Sequence, residues 1–345
     1  MRNAGSRPSG PAYAHLLAMS DEHGLFEHAL FDAPRRDHGY CVDDVGRALI
    51  VVVREPDQTP ELAALAETYL SFLEDAVDAT GRVRNRMSSD GAWTDEPGLG
   101  DWWGRALWST GFAAVHARSE GVRSRALRAF HRAALVRSAH GRAMAFAALG
   151  AAEVLSADPQ DLSARAVLLD GVATVAPARD DVWPWPEPRL RYANASLPEV
   201  LLAGGVATDN PRLLARGLSM LRFLLEIETL DGHLSVTGTG GRGPTQRSSQ
   251  FDQQPIEVAA LADACARAFD VTGDSSWRDG VASAWAWFLG DNDGSTAMFD
   301  PASGAGYDGL EASGRNENRG AESTLAALST YQQARRLGVL ELARV

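Results

Sequence analysis

Helical stretches recur along the whole of this 345-residue chain, and the breaks between them alternate between short and long. The spacing of apolar residues and the capping residues predict twelve helices. These fall near 11–19, 42–54, 60–78, 103–118, 123–138, 142–156, 159–174, 195–207, 210–228, 253–272, 274–289 and 320–336. The break after each odd-numbered helix is long, apart from 139–141, and the long breaks are 20–41, 79–102, 175–194, 229–252 and 290–319.

This alternation predicts an all-α ring of helical hairpins in which the long connections gather at one end. Successive connections between antiparallel helices lie at opposite ends, so every second one returns to the same side. Tryptophans, carboxylates, amides and glycines concentrate in the long breaks. A rigid helical scaffold that carries polar loops on one face commonly holds a binding or catalytic site.

Composition limits the partners of such a protein. The formal charge of −12 and the pI near 5.1 disfavour binding to nucleic acid or to an anionic membrane. All 33 basic residues are arginine, which excludes Schiff-base lysine chemistry and a phosphate-loop lysine. The two cysteines form no metal motif, and reduced thiols are expected. No metal and no cofactor is predicted.

The helical rhythm continues without a Pro/Ser/Gly-rich linker, so residues 1–345 are expected to form one domain with a flexible segment at 1–10. The N-terminal segment lacks the apolar run of a signal peptide. No stretch approaches the roughly 20 apolar residues of a membrane span. A soluble, cytoplasmic protein is predicted.

The first polar loop enters a helix through two adjacent acids, Asp43 and Asp44. Neighbouring helical residues point about 100° apart, so at most one of them faces a site squarely. Both are candidate catalytic acids, and a helix cap with Arg47 as partner is the alternative. His38 and Tyr40 crowd the same loop and are candidate substrate contacts.

The second loop combines tryptophans with carboxylates, as carbohydrate sites do. An indole face stacks on the apolar face of a pyranose, and polar groups hold its hydroxyls. Trp108 lies inside the helix and is expected to belong to the core. The candidate substrate contacts are Trp93, Asp101, Trp102, Trp103 and Arg105.

The third loop is stiffened by prolines at 184, 186 and 188. Its candidate substrate contacts are Trp185, Glu187, Tyr192 and Asn194. Ser196 and Glu199 have the spacing of a capping box, which predicts a structural role for Glu199.

The fourth loop contains GxGxxG at 238–243, but a polar run with Pro244 follows in place of a helix, which argues against a dinucleotide site. The alternatives are a mobile flap and a phosphate nest with Arg242. His233 in this loop is a further candidate. The next helix mouth supplies Asp252 as a candidate catalytic acid and Gln253, Gln254 and Glu257 as candidate substrate contacts.

The last loop offers Glu317 and Glu322 as catalytic candidates and Asn316 as a substrate contact. Glu322 falls in the first turn of a helix of small residues, where an acid either lines a cavity or stabilises the helix dipole. The DNDG sequence at 291–294 has its glycine misplaced for an EF-hand and is interpreted as a turn.

The ordered motifs GYCVDD, GRALW, WPWPE…YANASLPE, FDQQPIE and NENRGAESTLA resemble a bacterial, glycosyltransferase-associated group of the six-hairpin glycosidase superfamily. The resemblance runs from about Asp37 to Leu328. It implies an (α/α)6 barrel and a role in carbohydrate metabolism. The group has Asn after the paired acids where this chain has Val45, and Glu-Asp where this chain has Gly100-Asp101.

The leading functional hypothesis is a glycoside hydrolase that uses a carboxylate pair on an oligosaccharide or glycan. A sugar epimerase on the same barrel would need paired histidines, and of the eight histidines only His233 follows His140 in the chain. A phosphorylase would use Arg242 or Arg247 for phosphate. A non-catalytic glycan-binding domain that assists a glycosyltransferase is the remaining alternative.

Overall fold

The computed structural model describes residues 12–178 and 182–341. It contains twelve α-helices within these ranges, each of which overlaps one of the predicted stretches. They are α1 (Ala14–Ala18), α2 (Val42–Arg54), α3 (Pro60–Ala76), α4 (Asp101–His116), α5 (Glu120–Ala133), α6 (Gly141–Ala157), α7 (Leu162–Thr174), α8 (Ser196–Ala207), α9 (Pro211–Ile227), α10 (Pro255–Thr272), α11 (Ser276–Leu289) and α12 (Ala321–Arg336).

The even-numbered helices form a closed inner ring. Each packs on the next in the order α2, α4, α6, α8, α10 and α12, and α12 returns to α2. The odd-numbered helices α3, α5, α7, α9 and α11 pack outside them, and α1 packs on α12. The predicted all-α (α/α)6 barrel is therefore confirmed.

The burial patterns of α6 and α5 distinguish an inner helix from an outer one. Inner helix α6 is buried around almost its whole circumference from Ala143 to Leu155. Outer helix α5 buries only a stripe that includes Val122, Ala126 and Phe130, as expected for a helix with one solvated face. Small side chains let inner helices, each surrounded by others, approach closely.

Glycines bring α4 and α6 together. A Cβ added to Gly104 would lie 2.2 Å from the carbonyl oxygen of Ala143, and one added to Gly111 would lie 2.4 Å from that of Gly150. Both neighbouring atoms belong to the backbone, which cannot rotate away. The helix axes can therefore keep this spacing only with glycine at these positions.

All six inner helices begin at the same end of the barrel. The segments before them are 19–41, 77–100, 134–140, 175–195, 228–254 and 290–320. The predicted gathering of the long loops at one end is confirmed. No helix in the described ranges is long and apolar enough to cross a membrane.

Short antiparallel strand pairs stiffen these loops. In four of the pairs both strands belong to the same loop, whereas the fifth pair joins the loop before α2 to the loop before α4. The pairs are β1 (Ala29–Leu30) with β2 (Ala33–Pro34), β3 (Tyr40–Cys41) with β4 (Arg86–Met87), β5 (Thr229–Leu230) with β6 (His233–Leu234), β7 (Phe299–Asp300) with β8 (Ala305–Gly306), and β9 (Gly309–Glu311) with β10 (Gly314–Asn316).

The capping box predicted before α8 is wrong. The residue that precedes the helix is Ala195, and no side chain caps the helix end. The Ser196 hydroxyl donates to the Ala193 carbonyl at 2.7 Å, and Glu199 pairs with Arg267 at 3.0 Å. Glu199 is therefore held by a cation from α10 and not by the start of its own helix.

Candidate active site

The loops surround a cavity of about 530 Å³ at the mouth of the barrel, which we call the mouth cavity. Its floor is built by the first turns of α2, α4 and α12, with Gln254 next to the start of α10. Its wall comes from the loops before α2, α4, α8 and α12. The lining residues are Glu27, His28, Cys41, Asp43, Asp44, Arg47, Asn85, Arg86, Asp101, Trp102, Tyr192, Gln254, Asp308, Gly320, Glu322 and Ser323.

Arg47 joins two of the predicted acids. Its Nη1 lies 2.6 Å from Oδ1 of Asp44, and its Nη2 lies 2.9 Å from Oε2 of Glu322. Asp44 is 3% exposed, and its second oxygen accepts from the Cys41 thiol at 3.2 Å. Burial raises the pKa of Asp44 to about 7, although Arg47 opposes the shift. Asp44 is thus enclosed, whereas the Glu322 side chain is 36% exposed toward the cavity.

Asp43 differs from Asp44 because it has no partner. Within the described ranges its carboxyl group makes no hydrogen bond and no ion pair, although it lines the mouth cavity. Burial raises its pKa, and the positive charges of Arg47 and Arg105 oppose this shift. A carboxyl group that has a raised pKa and faces open space is suited to donate a proton to a ligand.

Two further polar side chains of the mouth cavity are also unengaged. The Asp101 carboxylate and the Gln254 amide make no hydrogen bond to the part of the chain that the structure describes, yet both line the cavity. Buried polar groups in proteins are generally hydrogen-bonded. Free donors and acceptors at a cavity wall are therefore available to hold the hydroxyl groups of a ligand.

Trp102 supplies a flat apolar surface beside these groups. Its Nε1 donates to the Val83 carbonyl at 2.7 Å, which fixes the plane of the ring. Glycines lie against it, since a Cβ on Gly100 would come within 2.2 Å of the indole and one on Gly98 within 2.9 Å. A fixed indole next to free carboxylate and amide groups can stack on a sugar ring.

Tyr192 closes the floor between two arginines. Its hydroxyl oxygen accepts from Nη2 of Arg105 at 3.1 Å and lies 3.4 Å from Nη2 of Arg47. The segment that carries Tyr192 is held by Glu257, which accepts from the backbone N–H groups of Ala193 at 2.5 Å and Asn194 at 3.2 Å. Burial raises the pKa of Glu257 to about 7.

A second cavity of about 370 Å³ adjoins the first and shares Tyr192 and Gln254 with it. The glycine-rich segment 237–241 lines it together with Arg189, Arg191 and Glu257. Arg242 does not reach this space, because it is 1% exposed and donates to the Ser235 carbonyl at 2.8 Å. The predicted phosphate nest with Arg242 is therefore not formed.

Several predicted aromatic contacts lie outside the mouth cavity because they fill the core. Trp103 and Trp185 are fully buried, and Trp103 donates to the Ala133 carbonyl at 3.1 Å. Tyr40 is fully buried against Phe26. Trp93 packs on Phe72, and its Nε1 donates to Asp75 at 2.8 Å. As predicted, Trp108 is buried.

Several predicted polar contacts are engaged elsewhere in the loops. Glu187 pairs with Arg142, His233 pairs with Asp293, and the buried Gln253 bonds to Asp293 and Trp287. Asn194 is fully buried against Glu257. His38 lies beside Asp37 and His28, and Asn316 accepts from the Asn318 backbone.

Two of the predicted catalytic acids stand outside the mouth cavity. Asp252 is exposed. Glu317 pairs with its neighbour Arg315 at 2.9 Å, and its side chain is 51% exposed. Neither lines the cavity, so both serve as natural controls for the acids that do.

The sequence reasoning missed the wall residues Glu27, His28, Asn85, Arg86 and Asp308. None of them lies at the start of a helix or in a recognisable motif. Asn85 and Arg86 reach the cavity because β3 pairs with β4, and Asp308 does so because the Gly320 N–H donates to it at 2.6 Å. Nothing local in the sequence signals either contact.

Three possible metal-ligating atoms from Glu27, Cys41 and Asp44 lie within 4.8 Å of one another. Both acids already have a cationic partner, since Glu27 contacts Arg86 and Asp44 contacts Arg47. Burial also raises the pKa of the Cys41 thiol, which disfavours the thiolate that metals bind. The arginines thus supply the positive charge that a metal ion would bring.

No protein-family model matches the chain, and no curated protein matches it in sequence. Solved structures do match. A sugar epimerase from a ruminal bacterium has a TM-score of 0.70 at 12% identity, over 94% of this chain and 95% of that chain. The cellobiose 2-epimerase of Bacillus thermoamylovorans has a TM-score of 0.70 at 10% identity, with 94% and 95% covered. The GH76 α-mannanase of Bacteroides thetaiotaomicron has a TM-score of 0.64 at 12% identity, with 93% of each chain covered.

These proteins include both epimerases and a glycosidase, and identities this low establish the fold alone. The fold likeness spans nearly the whole chain and agrees with the resemblance in the sequence motifs. This chain shares the (α/α)6-barrel fold of these epimerases and of the mannanase.

Proposed function

We propose that the chain is a glycoside hydrolase that cleaves an oligosaccharide or glycan in the mouth cavity. One observation carries the proposal: the unpaired Asp43 and the arginine-bound Glu322 line the same cavity from the neighbouring helices α2 and α12. Glycosidases use two carboxyl groups, one that protonates the leaving oxygen and one that acts as base or nucleophile.

We assign the proton donor to Asp43. Within the described ranges its carboxyl group makes no hydrogen bond and no ion pair, and burial raises its pKa. Asp44, the other predicted acid on α2, is enclosed by Cys41 and Arg47. Asp44 therefore acts as a positioning residue for Arg47 and not as a catalytic residue.

Glu322 is assigned as the base or nucleophile. Its ion pair with Arg47 orients the carboxylate, and its 36% exposure leaves an oxygen open to the cavity. Trp102 supports one sugar ring, and Asp101 and Gln254 receive its hydroxyl groups. Since Gln254 and Tyr192 also line the adjoining cavity, a longer glycan continues from the mouth cavity over the glycine-rich segment 237–241.

The test is turnover of mannose-, glucose- and galactose-linked oligosaccharides, with and without phosphate, followed by mass spectrometry. Hydrolysis yields fragments that have gained water, and phosphorolysis yields a sugar phosphate. The Asp43→Asn and Glu322→Gln variants are each expected to lose at least about 100-fold in kcat. Wild-type turnover in both variants would overturn the assignment.

Glu317→Gln is the matched control for Glu322→Gln. It makes the same chemical change in the loop that leads into α12, at an acid that pairs with an arginine outside the cavity. Its activity is expected to equal that of the wild type. Equal losses in both variants would point to a general effect of charge and not to catalysis by Glu322.

A sugar epimerase or isomerase is the second candidate, and the likeness to two epimerase structures favours it. Only one histidine, the exposed His28, lines the mouth cavity in the described part of the chain. An epimerase of this chain would therefore use a carboxylate in place of a second histidine. Its product would have unchanged mass and would carry deuterium on carbon after reaction in D2O. Binding of a glycan without any product would favour a binding domain that assists a glycosyltransferase.

A further inference from the structure

A small cavity of about 50 Å³ lies inside the barrel beneath the mouth cavity, and we call it the lumen cavity. The two spaces share Arg47 in their walls. Arg105, Trp108, Phe146 and Ser196 also line it. Its volume accommodates one or a few water-sized groups and excludes a sugar ring.

Arg105 is a buried cation without a counter-ion. It is 5% exposed and forms no ion pair with any carboxylate in residues 12–178 and 182–341. Among its donors, only Nη2 has a hydrogen-bond partner within these ranges, the Tyr192 hydroxyl. Its guanidinium lies 3.7 Å from the ring centre of Phe146 and 5.3 Å from that of Trp108. The charge is therefore held in place by packing.

Two donors of the lumen walls lack acceptors. The Nε atoms of Arg47 and Arg105 are both buried, and neither has a hydrogen-bond partner in the described part of the chain. Leaving a buried donor unsatisfied is costly, and an uncompensated buried charge is more so. Both arginines line the same small space.

The carboxylates nearby pair with arginines other than Arg105, and two of them, Asp44 and Glu322, contact Arg47. Glu199 and Asp263 line the lumen cavity, but Arg267 and Arg54 already pair with them at 3.0 and 3.1 Å. Asp43 lies in the field of Arg105, yet no oxygen of it comes within the 4 Å of an ion pair. A water molecule would satisfy an N–H group but would leave the charge of Arg105 unbalanced.

We propose that the lumen cavity binds a small monovalent anion of the size of chloride, held by Arg105 and by the Nε of Arg47. The anion supplies both the missing acceptor and the missing charge. The site lies below Tyr192 and so does not require the glycan. The proposal stands independently of the reaction in the mouth cavity.

The test compares thermal unfolding in sodium chloride and in sodium gluconate at equal ionic strength. Gluconate is too large for the lumen cavity. Chloride is expected to raise the midpoint of the wild type by roughly 2–5 °C in a saturable way. Arg105→Met is expected to lose this rise and to unfold in gluconate no earlier than the wild type, because the uncompensated charge is gone. Arg191→Met, which removes an exposed arginine of the adjoining cavity, is expected to keep the rise.

Equal midpoints of the wild type in both salts would overturn the proposal, and so would an undiminished chloride effect in Arg105→Met. If Arg105→Met does not fold, crystals of the wild type grown in bromide decide the question. An anomalous peak within hydrogen-bond distance of the Arg105 Nε would support the site. Water or empty density at that place would refute it.

Discussion

The substitution Gly150→Ala tests whether glycines set the spacing of the inner ring. The new Cβ would lie 2.2 Å from the carbonyl oxygen of Leu107 on α4 and 2.7 Å from Cα of Trp108, where ordinary contact begins at 3.4 Å. Both atoms are backbone, so α4 and α6 must separate by about 1 Å. Overpacking of this kind costs about 3 kcal/mol. The better helix propensity of alanine returns about 1 kcal/mol, which leaves a loss of about 2 kcal/mol.

Gly141→Ala is the control on the same helix, because nothing lies within 4 Å of the Cβ it adds. It is expected to leave stability unchanged or to raise it by up to about 1 kcal/mol. Thermal unfolding followed by circular dichroism measures both variants beside the wild type. The reasoning is refuted if Gly150→Ala unfolds at the same midpoint as Gly141→Ala.

Three further outcomes are expected. In Glu257→Gln, an amide replaces the carboxylate that accepts from Ala193 and Asn194. Urea unfolding should show that the free energy of unfolding falls by about 2 kcal/mol. The same substitution should cost less in an Asn194→Ala background, where one of these donors is already absent. Although burial opposes it, hydrogen bonds from His116 and Arg267 lower the pKa of Glu153 to about 2. The ionised Glu153 therefore stabilises the fold fully above its unfolded pKa, and this stabilisation is lost as pH falls toward 2. In Glu153→Gln, the loss of unfolding free energy between neutral pH and pH 2 should be smaller than in the wild type by up to about 3 kcal/mol. Asp43 can donate a proton only in its protonated form, so kcat/KM should fall as pH rises through the raised pKa of Asp43. The residual activity of Asp43→Asn should not show this alkaline decrease.

Part of the candidate site was predictable because it sits in the first turns of inner helices. Asp43, Asp44 and Glu322 follow long polar loops directly, and the alternation of loop lengths places those loops at one end. The position of a residue in the first turn of a helix does not predict which of Trp102 and Trp103 faces the cavity. They are neighbours in sequence, yet Trp102 lines the mouth cavity and Trp103 is fully buried. Only the rotation of α4 within the ring separates them.

The twelve helices of the described ranges, and the end of the barrel that carries the polar loops, were predictable from the amino-acid sequence. Both follow from local rules, namely apolar spacing, capping and the reversal of direction at each connection. Tertiary structure alone decided which polar groups face one another. Arg47 joins Asp44 on its own helix to Glu322, which lies 275 positions further along the chain, and the closure of the ring by α12 against α2 creates that contact. Side chains so far apart in sequence meet only through the packing of helices, and a local sequence pattern does not predict that packing.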